Sequence, residues 1–105
     1  MSRIDALRAE IGGPRDGALL RYSLGAALLE AGDAAGAASQ LRAALDCDPG
    51  YSAAWKLLGN ACMQQNDTTA AREAWHRGIA AAETRGEVQA AKEMRVFLKR
   101  LPDPD

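Results

Sequence analysis

A chain of 105 residues is long enough to bury one core without disulfide or metal staples, so a single domain over 1–105 is expected. Its formal net charge of −1 provides no global field that would draw it to nucleic acid or to an acidic membrane. Abundant alanine, four prolines and only 5% aromatic residues argue against a sheet-dominated fold and for helices.

Ser2 to Ile11 reads as a short helix. Ser2 is the cap, and Ile4, Leu7 and Ile11 form one apolar stripe. Gly12-Gly13-Pro14 ends it. Asp16 is the expected N-cap of a second helix reaching about Ala31, where Gly32 stops it and Asp33 caps the next. The third helix runs to about Asp46 and turns at Asp48-Pro49-Gly50. Ser52 opens a fourth, which ends near Gln65. Asn66 takes the place of glycine at that end, and Asp67 caps a fifth helix from about Thr69 to Thr84. Gly86 breaks it, and a last helix covers 87–101 before the Pro102-Asp103-Pro104-Asp105 tail.

Residues 18–49 laid over 52–83 repeat every boundary at an offset of 34. Leu24-Gly25 falls on Leu58-Gly59, Gly32-Asp33 on Asn66-Asp67, Ala37 on Ala71, Leu41 on Trp75 and Ala44 on Gly78. The second copy, with Trp55, Leu58-Gly59, Cys62, Ala71 and Trp75, resembles the tetratricopeptide repeat. Arg21, Leu28 and Cys62 stand where that family pattern has aromatics, and Glu83 stands where it has proline, so the fifth helix is expected to run on towards Gly86. The resemblance implies an all-α fold: antiparallel helix pairs stacked as a short right-handed solenoid. Its parts are a cap helix at 2–11, repeats at 18–49 and 52–85, and a second cap at 87–101. Two repeats leave apolar faces open, and the flanking helices suit the role of caps. In the last, Ala90, Ala91, Met94, Phe97, Leu98 and Leu101 share one face, with Lys92, Arg95, Lys99 and Arg100 on the other.

Candidate chemistry is sparse. His76 is the only histidine and falls on the solvent side of its helix, with no partner set for a triad or a metal. Cys47 and Cys62 have no zinc or redox spacing, and both read as small buried hydrophobes. Gly12 to Gly17 lacks the Lys-Ser/Thr of a phosphate loop. An enzyme is not expected, nor a cofactor, nor a nucleic-acid partner. No apolar run approaches the roughly 20 residues needed to span a bilayer. Arg3, Asp5, Arg8 and Glu10 interrupt the stretch a signal peptide would need. The expected location is the cytoplasm.

The first helix of each pair spends Leu24 and Leu28, or Leu58 and Cys62, on its partner. A second stripe is left over: Tyr22, Ala26 and Leu29 in one copy, Lys56, Asn60 and Met63 in the other, with Glu30 and Gln64 beside them. In proteins similar to this one, that stripe lines a concave surface that holds peptides. The resemblance therefore implies an adaptor binding another protein or peptide there. Lys56 and Asn60 also match part of the clamp with which some members hold a C-terminal carboxylate. The clamp's further Asn and two bases are missing, since the equivalent stretch is expected to hold Ala90, Ala91 and Met94. The alternative is a self-associating building block, a weak homodimer joined through Phe97 and Leu101 or through Leu29 and Met63. A third surface, the basic outer face of the last helices, is open as well: residues 68–101 carry seven bases against four acids.

Overall fold

The computed structural model describes residues 2–102 as six helices in chain order: α1 (Arg3–Ala9), α2 (Ala18–Glu30), α3 (Ala34–Cys47), α4 (Ser52–Gln64), α5 (Thr68–Thr84) and α6 (Val88–Lys99). The tail from Asp103 onward lies outside the described residues. Local sequence sets the ends. Asp33 and Asp67 accept hydrogen bonds from the amides of Gly36 and Ala70 at 2.8 and 3.0 Å, each satisfying a donor that the first turn leaves free. Three helices close in the same way. Gly32, Asn66 and Gly86 take positive φ angles of 90°, 61° and 72°. The next amide in each case (Asp33, Asp67, Glu87) reaches back to the carbonyl of Leu28, Cys62 or Ala82 at 2.8–2.9 Å.

Asp16 does not cap α2, whose N-cap is Gly17. Its carboxylate instead accepts from the Gly12 amide at 2.9 Å and takes Arg21 in a two-pronged pair at 2.9 and 3.0 Å. A guanidinium fork matches both carboxylate oxygens, and that pairing outcompetes the single bond a cap would make. Arg21, at a position where the family has an aromatic, thereby ties the α1–α2 linker to the stack and also donates to Gln40 of α3 at 3.1 Å.

Helices α2 and α3 pack as one antiparallel pair and α4 and α5 as another, with α3 against α4 and α6 against α5. Small residues set the spacing. Gly25 lies against Leu41 and Gly59 against the Trp75 indole, so each first helix touches its partner at close range. Leu24, Leu41, Cys62 and Met94 are the largest fully enclosed side chains. α1 ends at Ala9, short of the expected Ile11, and buries nothing completely, but Ile4 and Leu7, with Ile11 just past its end, pack against the core. At the other end, Ala91 and Met94 of α6 are buried and Phe97, Leu98 and Leu101 pack against the core. The Phe97 ring lies 5.2 Å from that of Trp75.

The cysteines divide. Cys62 is buried, whereas Cys47 is exposed. Cys47 is the last residue of α3, past the final buried position of that helix, Leu45, and its chain is already turning outward at Asp48. His76 is exposed.

Candidate interaction groove

Counted from the first residue of each helix, α2, α4 and α6 share one layout. The seventh residues, Leu24, Leu58 and Met94, are all buried. The eighth are Gly25, Gly59 and Arg95. At the first two a helix partner approaches the glycine closely; at the third, an arginine directed to Glu83 of α5 stands in that place. α6 therefore shares the layout of a pair's first helix, except that Arg95 takes the place of the glycine.

That layout corrects the register expected for α6. α5 is 17 residues long where α3 has 14, and α6 starts two residues later than a strict period of 34 would place it. The fifth, ninth and twelfth positions hold Tyr22, Ala26 and Leu29 in α2, and Lys56, Asn60 and Met63 in α4. In α6 they hold Lys92, Val96 and Lys99, not Ala90, Ala91 and Met94. All three are exposed, while Ala91 and Met94 are core. The sequence carries a signal for this shift: Glu83 replaces the helix-stopping proline, and the extra turn it permits in α5 displaces every position of α6.

Tyr22 stacks on Tyr51, the N-cap of α4, with ring centroids 4.9 Å apart and planes 24° from parallel. Tyr51 is not among the residues expected from sequence; burial raises its phenol pKa. Ala26 and Asn60 are half-buried, Leu29 and Met63 pack partly against the core, and Gln64 is exposed. Lys56 is not free. Its ammonium donates to Glu93 of α6 at 2.7 Å, with the two side chains 29% and 40% exposed. One turn earlier, the Ser52 hydroxyl donates to Glu87 at 2.6 Å, a second tie along the α4–α6 seam. The thirteenth positions complete a gradient, with Glu30 on α2, Gln64 on α4 and the cap Arg100 on α6. The stripe runs from aromatic and apolar at α2 to basic at α6.

On the side formed by α3 and α5, a cavity of about 360 Å³ opens over Trp55 and Leu58. Its rim balances Arg42 and Arg77 against Asp46 and Glu73 and offers a partner no net charge. Among the described residues, no group of three or more His, Cys, Asp or Glu side chains is placed to hold a metal ion, and no helix is long and apolar enough to cross a membrane.

Antiparallel pairs repeated at a fixed period and closed by flanking helices define a short helical-repeat solenoid. The chain belongs to the tetratricopeptide repeat family, whose model matches residues 28–94. It is 52% identical over 86 residues to the TPR repeat-containing protein PA0015 of Pseudomonas aeruginosa, an alignment covering 82% of each chain. It is also similar to the solution structure of protein BPP2914 from Bordetella parapertussis, with a TM-score of 0.82 and 44% identity over 95% of this chain and 87% of that one. Proteins of this family are in general protein–protein interaction modules and non-enzymatic scaffolds.

Proposed function

We propose that this chain is an adaptor that binds a peptide or a partner protein along the stripe formed by Tyr22, Ala26 and Leu29, Lys56, Asn60 and Met63, and Gln64. The observation that carries the reading is the common layout of α2, α4 and α6, whose fifth, ninth and twelfth residues all stay outside the fully buried set. The two repeats at 18–49 and 52–85, with caps at 2–11 and 87–101, act as one unit in the cytoplasm on this reading. Tyr22, Ala26, Leu29 and Met63 each keep part of their surface in solvent, beside half-buried Lys56 and Asn60 and exposed Gln64. The test is affinity for a partner captured from cell extract. Ala26→Glu and Asn60→Ala should each weaken it about fivefold or more at unchanged melting temperature. Unchanged affinity in both variants overturns the groove.

A second reading is self-association. Leu19 is 69% exposed at the second position of α2 and Val96 is 43% exposed at the ninth of α6, and a second copy could cover them. Solution mass over a range of protein concentrations separates the two: an adaptor stays monomeric.

A further inference from the structure

The most polar point of the stripe is already occupied from within. Glu93 projects from α6 onto the Lys56 ammonium at 2.7 Å, and both side chains keep contact with solvent. Beyond this pair and the Ser52–Glu87 tie next to it, α6 carries exposed Lys92, Lys99 and Arg100, while Glu30 is exposed on α2. None of those three α6 cations has an ion-pair partner among the described residues. The rest of α6 does not depend on the pair, because Met94, Ala91 and Phe97 hold the helix by packing and Glu87 and Arg95 tie it elsewhere.

We propose that Glu93 is a built-in placeholder for the carboxylate of an acidic partner segment. In the free protein it neutralises Lys56; on binding, a side-chain carboxylate of the partner takes its place. The partner's other acids then face Lys92 and Lys99, and its apolar residues lie towards Tyr22 and Leu29. This rests on the groove reading above and adds to it both the chemistry of the partner and a means by which the protein sets its own affinity. A half-exposed ion pair is cheap to exchange, since the two charges retain much of their hydration and attract each other only weakly. The internal competitor therefore lowers affinity for acidic segments without forbidding them. A neutral segment gains nothing from displacing it.

The test uses the full chain and a fluorescein-labelled peptide, Leu-Tyr-Ala-Glu-Glu-Ala-Glu-Glu, blocked at both ends, beside an analogue with every Glu replaced by Gln. Anisotropy gives affinity and amide chemical shifts give location. Glu93→Gln should bind the acidic peptide about two- to fivefold tighter than the parent, the range corresponding to release of one exposed ion pair. Glu93→Ala, which shortens the side chain, should show the same gain, and both are read where melting curves show full folding. Combining Glu93→Gln with Lys56→Gln should abolish the gain, and the Gln analogue should not distinguish Glu93→Gln from the parent. If shifts mark α2 and α4 but neither Glu93 variant binds tighter, the placeholder is wrong and the groove stands. If the acidic peptide fails to bind, or perturbs only the outer face around Arg95, the placeholder is overturned. The groove reading is then decided separately by the Ala26→Glu and Asn60→Ala affinities for the captured partner.

Discussion

Gly59 of α4 and Trp75 of α5 meet at close range: the glycine backbone lies against the indole, whose Nε1 donates to the Lys56 carbonyl at 3.1 Å. A methyl group at residue 59 would meet the ring itself. The Gly25–Leu41 pair is its counterpart one repeat earlier, but there the obstacle is a side chain with rotatable bonds, 2.7 Å from the added carbon. Gly59→Ala should therefore cost about 1–3 kcal/mol, as overpacking does, and more than Gly25→Ala. Urea unfolding of the two variants checks the order. Equal losses would mean that the indole moves as freely as the leucine.

The cap assignment can be tested at one side chain. Met94 is fully buried beneath α6 against Gly78 of α5. Met94→Ala should cost about 2–5 kcal/mol, the range for truncating a large core residue. Removing residues 88–105 should cost at least as much, since it also exposes Trp75. A truncated chain that melts with the parent would show that α6 rests on the stack without stabilising it.

These two sites also show which parts of the structure could be read from the sequence. Gly32, Asn66 and Gly86, with Asp33 and Asp67 after the first two, mark helix ends through local backbone chemistry, and such signals survive without knowledge of the fold. Leu24-Gly25 and Leu58-Gly59 mark the pair packing through their recurrence 34 residues apart, with a small residue where the partner helix comes closest. The candidate stripe was only partly legible. Tyr22, Lys56 and Asn60 follow from helical phase, but Glu93 reaches Lys56 across a contact that depends on how α6 docks. A constant period, carried past a helix that has lost its stop, puts the wrong residues of α6 in the stripe. Asp16 departs from expectation for a related reason: a capping residue with an arginine five positions on has a better partner than a helix amide.

The two thiols should separate cleanly. Cys62 is buried, and burial raises its pKa and withdraws the thiolate that reacts. Cys47 is exposed at the end of α3. A native sample treated with Ellman's reagent should release one equivalent quickly and the second only in denaturant. Cys47→Ser should remove the fast phase alone. Two fast equivalents would place Cys62 outside the core.

Acid should loosen the ties that hold the turns. Arg85 donates to Asp48 at 2.8 Å, and this pairing lowers the Asp48 pKa from its ordinary 3.8; Arg21 does the same for Asp16. A carboxylate with a depressed folded pKa contributes stability that is complete above the unfolded value and lost as pH falls through the folded one. Stability should hold near neutrality and decline as pH falls below about 4. Asp48→Asn should be less stable than the parent at pH 7 and show a smaller further loss at pH 3. Since both carboxylates lie near the surface, the differences will be modest. Parallel pH profiles for the two proteins would assign the acid sensitivity elsewhere.

Tyr22 gives the sharpest test of whether the stripe serves stability alone or binding as well. Its ring is half-buried and stacked on Tyr51, so Tyr22→Ala should lose that aromatic contact and part of the ring's burial, about 1–2 kcal/mol. Tyr22→Phe keeps the ring and should leave the melting temperature close to that of the parent. Asn60→Ala, half-buried with no side-chain hydrogen bond among those described, should also change stability little. If the stripe binds a partner, Asn60→Ala weakens the complex at constant stability. Tyr22→Ala weakens it more than its fractional unfolding explains, because the ring is lost from the surface as well as from the stack. If Tyr22 serves packing alone, its loss of binding tracks the unfolded fraction, and adding a stabilising osmolyte restores full affinity. Measuring affinity for the captured partner with and without trimethylamine oxide separates the two. Complete recovery of Tyr22→Ala binding, together with parental affinity in Asn60→Ala, would leave the stripe a packing surface and turn attention to the basic outer face of α6.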